Sequence, residues 1–280
     1  MRADRPSRTA LGVALGRARL DRPTVPTGDA AADQALADSL LADAPDSIRS
    51  RAEARRSELG GATDPEEAWR IFGTWISERT KFFDDAVLRA IASGHEQIVI
   101  LGAGYDARAC RFRTPGVRFV EVDHPATQGD KRRRLDALDV ATDDITFVAA
   151  DFIEDDVDAA LEAGGHRPDR PTTFLLEGVL RYLPETAIRR LLATIAGRAA
   201  AGSELAVSIS TRDPGDEDPN AERRLARERQ LADEGEAVLT VPPRKVALGW
   251  LSEAGWTMES LIEVDRFDGR RGQLLVLAHP

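Results

Sequence analysis

At 280 residues, 42% hydrophobic and 31% charged, the chain has the composition of a folded globular protein, with room for two small cores or one large α/β unit. Its net charge of −10 provides no broad basic field for a phosphate backbone, which argues against a nucleic-acid partner. Cys110 is the single cysteine, so an intrachain disulfide framework and a multi-cysteine metal centre are both excluded, and a reducing compartment suits the chain.

The basic opening at residues 1–5 leads into apolar residues broken by Gly12, Gly16, Arg17 and Arg19, unlike a secretion signal, and no apolar run reaches membrane-spanning length. A cytoplasmic protein without a membrane partner is expected. Residues 7–93 lack strand-like runs and space their apolar positions among Ala, Leu, Glu and Arg, which predicts an α-helical segment over 1–95. Thr63-Asp64-Pro65-Glu66-Glu67 reads as a helix start, with Trp69, Phe72, Trp75, Ile76, Phe82 and Phe83 following as core residues.

From residue 97 short β-rich runs alternate with helical stretches, the pattern of a wound parallel sheet, and they define a core over 96–280. The runs fall at 98–101, 117–122, 145–149, 172–176 and 204–209. The polar stretch from Thr211 to Asn220 leads into a charged helix and reads either as part of a lid around 211–242 or, more plainly, as a solvated loop. A helix near 244–254 and two strands at 256–264 and 273–278, turning at Asp268-Gly269, complete the chain as a hairpin.

Ile98-Val99-Ile100-Leu101-Gly102-Ala103-Gly104-Tyr105-Asp106-Ala107 is a strand, a Gly-x-Gly turn and the approach to a helix, a form that lets backbone draw close to a ligand. Taken alone it also fits a dinucleotide fingerprint. The second strand ends in Glu121-Val122-Asp123, placing Asp123 about 20 residues past the loop, where a carboxylate can accept both hydroxyls of a ribose. The third ends in Ala150-Asp151-Phe152 and the fourth in Leu176-Glu177-Gly178. Ligands of open parallel sheets bind at that carboxyl edge, so these residues can converge, Asp151 on an adenine amino group beside Phe152 and Glu177 on a ligand ammonium.

In these motifs the chain resembles the leucine carboxyl methyltransferase-like family, which includes bacterial S-adenosylmethionine (SAM) methyltransferases and polyketide carboxyl O-methyltransferases. The resemblance runs from Ser7-Arg8-Thr9-Ala10-Leu11 through Arg79-Thr80-Lys81-Phe82-Phe83-Asp84, the glycine loop, Glu121-Val122-Asp123-His124-Pro125 and Glu177-Gly178-Val179-Leu180-Arg181-Tyr182-Leu183-Pro184 to the last strand. It implies an α/β class I SAM methyltransferase (Rossmann-like) core, a wound and mostly parallel sheet behind an α-helical N-terminal extension. It also implies that Arg79 meets the SAM carboxylate, that Gly102, Ala103 and Gly104 line the methionine moiety, that Asp123 holds the ribose beside His124, that Asp151 and Phe152 hold adenine, and that Glu177 lies near the methionyl amino group. S-adenosylhomocysteine (SAH) would be the product.

Two features depart from the family pattern. Asp151-Phe152-Ile153-Glu154-Asp155-Asp156 carries no Trp, and Arg181 stands where an apolar residue is usual. Arg181 and Tyr182 are therefore the candidates for contact with a small-molecule acceptor, anionic or polyketide-like, methylated at a carboxylate or phenolic oxygen. A nicotinamide-dependent oxidoreductase with a similar glycine loop and a non-catalytic SAM-binding protein are the alternatives. Arg132-Arg133-Arg134 reads as a solvated helix face, Cys110 as an inert buried thiol, and His124 either as a base or as a bystander. His95, His166 and His279 have no metal-ligand spacing, so no metal is expected.

Overall fold

The computed structural model describes residues 6–44, 65–215, 221–266 and 270–280, with residues 65–74, 223, 227, 265, 266, 270 and 271 described by their backbone alone. Among these residues the helices α1 (Arg8–Arg17), α2 (Ala32–Ala42) and α3 (Pro65–Ala92) precede the first strand. The strands are β1 (Gln97–Leu101), β2 (Arg118–Asp123), β3 (Ile145–Ala149), β4 (Thr172–Leu176), β5 (Glu204–Ser210), β6 (Thr257–Arg266) and β7 (Arg270–His279). Between them come α4 (Arg108–Arg111), α5 (Pro125–Ala137), α6 (Val157–Ala163), α7 (Glu185–Gly197), α8 (Ala221–Asp233) and α9 (Arg244–Glu253). The expected strands lie within one to three residues of these bounds. The expected cap at Thr63 and Asp64, the turn at Asp268-Gly269 and part of the polar stretch up to Asn220 lie outside the described residues.

The sheet order is β3-β2-β1-β4-β5-β7-β6, parallel except for β7, which runs antiparallel to both neighbours. All five residues of β1 and of β4 are buried, because both faces of the sheet are covered and apolar runs need not alternate there. On one face α6, α7 and α9 contribute Leu161, Ile188, Leu192 and Trp250 to a core with Val99, Phe174 and Val276. On the other, α2, α3 and α5 contribute Leu36, Phe83 and Leu135 against Ile98, Phe119 and Leu275. Ile76 and Phe83 are core residues as expected, while Trp75 and Phe82 are partly buried; the side chains of Trp69 and Phe72 lie outside the described residues.

The reading of Arg132-Arg133-Arg134 as a solvated face holds for the first two only. Arg134 turns back onto Asp130, the Ser39 carbonyl and Asp43, and so ties α5 to the end of α2. Cys110 is buried on the four-residue α4, and burial pushes its thiol up to about 12, which keeps it protonated and inert.

Candidate active site

Gly102 and Gly104 sit just past β1 with φ of +70° and +51°, backbone angles that side chains resist. A Cβ at Gly102 would lie 2.2 Å from Val179 Cγ2, and one at Gly104 would lie 2.9 Å from the Cβ of Ala10 on α1. The loop is thus pressed between the segment after β4 and the N-terminal helix. The amides of Gly102 and Ala103 both donate to the Val122 carbonyl, at 2.8 and 3.2 Å, which holds the loop against the end of β2.

Asp123 ends β2 beside this loop. One oxygen accepts from the Gly104 N–H at 2.5 Å and the other from the His124 N–H at 2.6 Å, so both lobes of the carboxylate are aimed. Burial lifts its pKa to about 6, against the two backbone hydrogen bonds that favour the ion. His124 caps α5 by accepting from the Ala126 N–H through Nδ1, and its Nε2 lies 3.7 Å from Asp151. Burial lowers the His124 pKa, so the ring is neutral near pH 7. Asp151 Oδ1 accepts from the Ile153 N–H at 2.9 Å and the residue stays partly exposed. Phe152 is 7% exposed, belongs to the core, and borders a cavity of about 300 Å³ with Val157, Arg190 and Leu191.

Glu177, just past β4, collects three guanidinium groups. Arg79 Nε lies 2.8 Å from one carboxylate oxygen, while Arg17 and Arg108 reach the other at 2.6 and 2.7 Å. The cluster continues through Asp106, which faces Arg17 and Arg108, and through Asp84, which pairs with Arg108 and Arg22. Asp33 closes it between Arg22 and Arg111. Five buried guanidiniums therefore face four carboxylates in one continuous network, and one positive charge is left over among the described residues. Burial alone would raise the Glu177 pKa, but Arg17, Arg108 and Arg79 outweigh it and hold the carboxyl well below the usual range. Burial pulls Arg79 below the usual arginine value and Glu177 opposes this, while Arg17 and Arg108 repel it further. Arg79 Nε and Glu177 Oε1 are close in distance but misaligned, and both atoms are buried without a hydrogen bond.

Arg17, Arg22, Asp106 and Arg108 escaped the sequence reading. Their spacing along the chain carries no signal, since the ion pairs join residues 24 to 160 positions apart, apart from Arg108 and Asp106, two apart, and Arg22 and Asp33, eleven apart. Arg181 and Tyr182 lie in a 3-10 turn (Leu180–Tyr182) beyond Glu177, with the Arg181 guanidinium 5.6 Å from the Tyr182 ring. Arg181 Nε is buried without a hydrogen bond, and no carboxylate pairs with it among the described residues. Its carbonyl accepts from the amides of Leu239 and Thr240, which bring the segment after α8 over this turn.

At the opposite edge of the sheet His279, Glu259 and Glu204 bring ligand-type atoms within 4.8 Å of one another. His279 contacts Glu259 through Nε2 and lies 3.3 Å from the Ser203 carbonyl through Nδ1. His95 and His166 are core residues bonded to Thr173 and Thr172.

Residues 10–196 match the family model for leucine carboxyl methyltransferase. A Mycobacterium marinum protein assigned by name to the S-adenosyl-L-methionine-dependent methyltransferases is 42% identical over 193 residues, 66% of this chain and 59% of the relative, so the match spans about three-fifths of that protein. A Mycolicibacterium paratuberculosis protein of the same name is 34% identical over 257 residues, covering 90% of this chain and 80% of its own length. The crystal structure of a Thermobifida fusca protein described as a methyltransferase superposes with a TM-score of 0.57 over 98% of this chain and 95% of its own, at 17% identity, which bears on the fold alone. With its glycine loop, its acidic strand ends and this sheet order, the chain belongs to the leucine carboxyl methyltransferase family.

Proposed function

We propose that the chain is a SAM-dependent O-methyltransferase acting on a small-molecule acceptor, with a carboxylate oxygen as the favoured nucleophile and a phenolic oxygen as the second choice. The observation that carries this reading is the Arg79–Glu177 pair at the end of β4, a cation and an anion side by side, misaligned with each other, in a buried network with one positive charge in excess. A zwitterionic amino-acid moiety fits such a pair, its ammonium on Glu177 and its carboxylate on Arg79 with Arg17 near by. A nicotinamide offers neither group.

The other residues fit the rest of the ligand. Asp123 keeps acceptor capacity for two ribose hydroxyls, Asp151 has a partly exposed carboxylate for an amino group, and the glycine loop admits backbone close to the ligand between them. When bound, SAM supplies a methyl group activated by its positive sulfur. The protein's task is then to hold an acceptor oxygen in line with that methyl and keep water away, while Arg181 and Tyr182 orient the acceptor. A carboxylate is ionised near pH 7 and needs no base, which suits a site where His124 serves as a helix cap.

Calorimetry with SAM, SAH and NAD tests the cofactor: SAM and SAH should bind and NAD should not. A screen with methyl-labelled SAM across polyketide acids, phenols and peptide C-termini then tests the acceptor. SAM binding without transfer to any of them would favour a non-catalytic SAM-binding protein.

A further inference from the structure

Glu236 lies outside every contact assigned above, yet its carboxylate is buried and fully used. It accepts from the backbone N–H of Arg8 at 2.7 Å, from that of Thr9 at 3.0 Å, and from the Thr9 hydroxyl. These amides belong to the first turn of α1, where a helix has donors without partners and a positive dipole end. Ser7 satisfies the next donor, at Ala10, and its own amide is held by Thr127. The anion that completes the start of α1 thus comes from 228 positions away.

The residues that follow Glu236 reach the other half of the site. Leu239 and Thr240 donate to the Arg181 carbonyl at 2.8 and 3.2 Å, the Thr240 hydroxyl donates to the Leu183 carbonyl at 2.6 Å, and Pro242 accepts from the Arg212 amide at 3.0 Å. One strap, 236–242, therefore holds the start of the helix that roofs the glycine loop and the backbone of the turn that carries Arg181 and Tyr182.

We propose that Glu236 is a positioning residue that couples the cofactor side of the site to the acceptor side, so that seating α1 over a bound cofactor also fixes the 3-10 turn facing the acceptor. The inference rests on the cofactor reading given above. Its consequence is order: cofactor first, then acceptor, because the acceptor turn is held in place only once α1 has supplied the amides that seat Glu236. No acid–base duty is assigned to this carboxylate.

Hydrogen exchange of the full chain with and without SAH tests the coupling, read in peptides covering 6–17 and 234–243. In the wild type SAH should slow exchange in both peptides, by about tenfold, as for a cooperative unit that opens as one. In Glu236→Ala, SAH should still protect the later turns of α1, which Arg17 anchors at Glu177, while protection of 234–243 falls away. Glu236→Gln keeps an acceptor oxygen and should recover part of it; Thr9→Val, which leaves Glu236 intact, should weaken it from the other side. Gln and Val are near-isosteric replacements and keep the test available if the Ala variant fails to fold. Wild-type protection of 234–243 in Glu236→Ala, or SAH protecting 6–17 alone in the wild type, overturns the coupling and leaves the cofactor reading standing. Failure of SAH to bind the wild type by calorimetry overturns both.

Discussion

Asp123 enters the site with both oxygens already aimed by the Gly104 and His124 amides and with burial lifting its pKa to about 6. Ribose hydroxyls need the ionised form as acceptor, so SAH affinity measured by calorimetry should fall as the pH drops through about 6 and level off above about 7. Asp123→Ala should weaken SAH binding by about 2 kcal/mol or more and remove that pH dependence. Arg79→Ala should raise the Kd for SAM about tenfold or more, because a charge-assisted pair to the ligand carboxylate is lost, while the remaining guanidiniums still neutralise Glu177. Once an acceptor is known, Arg181→Met should raise KM or lower kcat/KM with the SAH Kd unchanged; unaltered kinetics would return Arg181 to the role of a structural side chain. Asp123 and Glu177 were legible in the sequence because each ends a β-run and so reports its place at the carboxyl edge. Arg17 and Arg108 were not, since a guanidinium on a helix looks the same in solvent and in a buried network. Phe152 was legible as a residue of the third strand end; its packing into the core with α6 and α7 was not.

The strands could be read from their apolar runs because β1 and β4 are buried on both faces, and the crossovers followed from parallel pairing. The helix expected after the glycine loop is α4, four residues long, and the chain there is also held by the Arg108 and Arg111 ion pairs. The glycine loop itself provides a test at this scale. Gly102→Ala places a methyl at positive φ against Val179 and should destabilise the protein by about 2 kcal/mol or more in denaturant unfolding. Gly94→Ala shares a positive φ but meets open space, and should cost about 1 kcal/mol, the backbone strain alone. Equal effects would show that contact with the turn after β4 does not constrain the loop.

For the whole molecule, four buried carboxyls form two pairs with opposite pH behaviour. Burial raises Asp123 to about 6 and Glu121 to about 7, so their contribution to stability is present below about 4 and is lost as the pH rises through 6 to 7. Asp106 and Glu177 are depressed by their arginines, so theirs is present above about 4 and is lost as the pH falls below it. The ligand-free protein should therefore melt highest near about pH 4 in a calorimetric scan and lose stability from there to about pH 7, while the Tm increment from SAH grows from pH 5 to 7.5. A ligand-free Tm that climbs steadily to pH 8 would contradict this division. The strap at Glu236 also has a consequence in time. Helix α1 leaves the ribosome before its partners Glu177 and Glu236, which follow 160 and 228 positions later, so it must wait, undocked, until they emerge. Its docking is then a late folding event with a large loop to close, and a refolding experiment should show the sheet core forming before α1 gains protection, with SAH accelerating only the later phase.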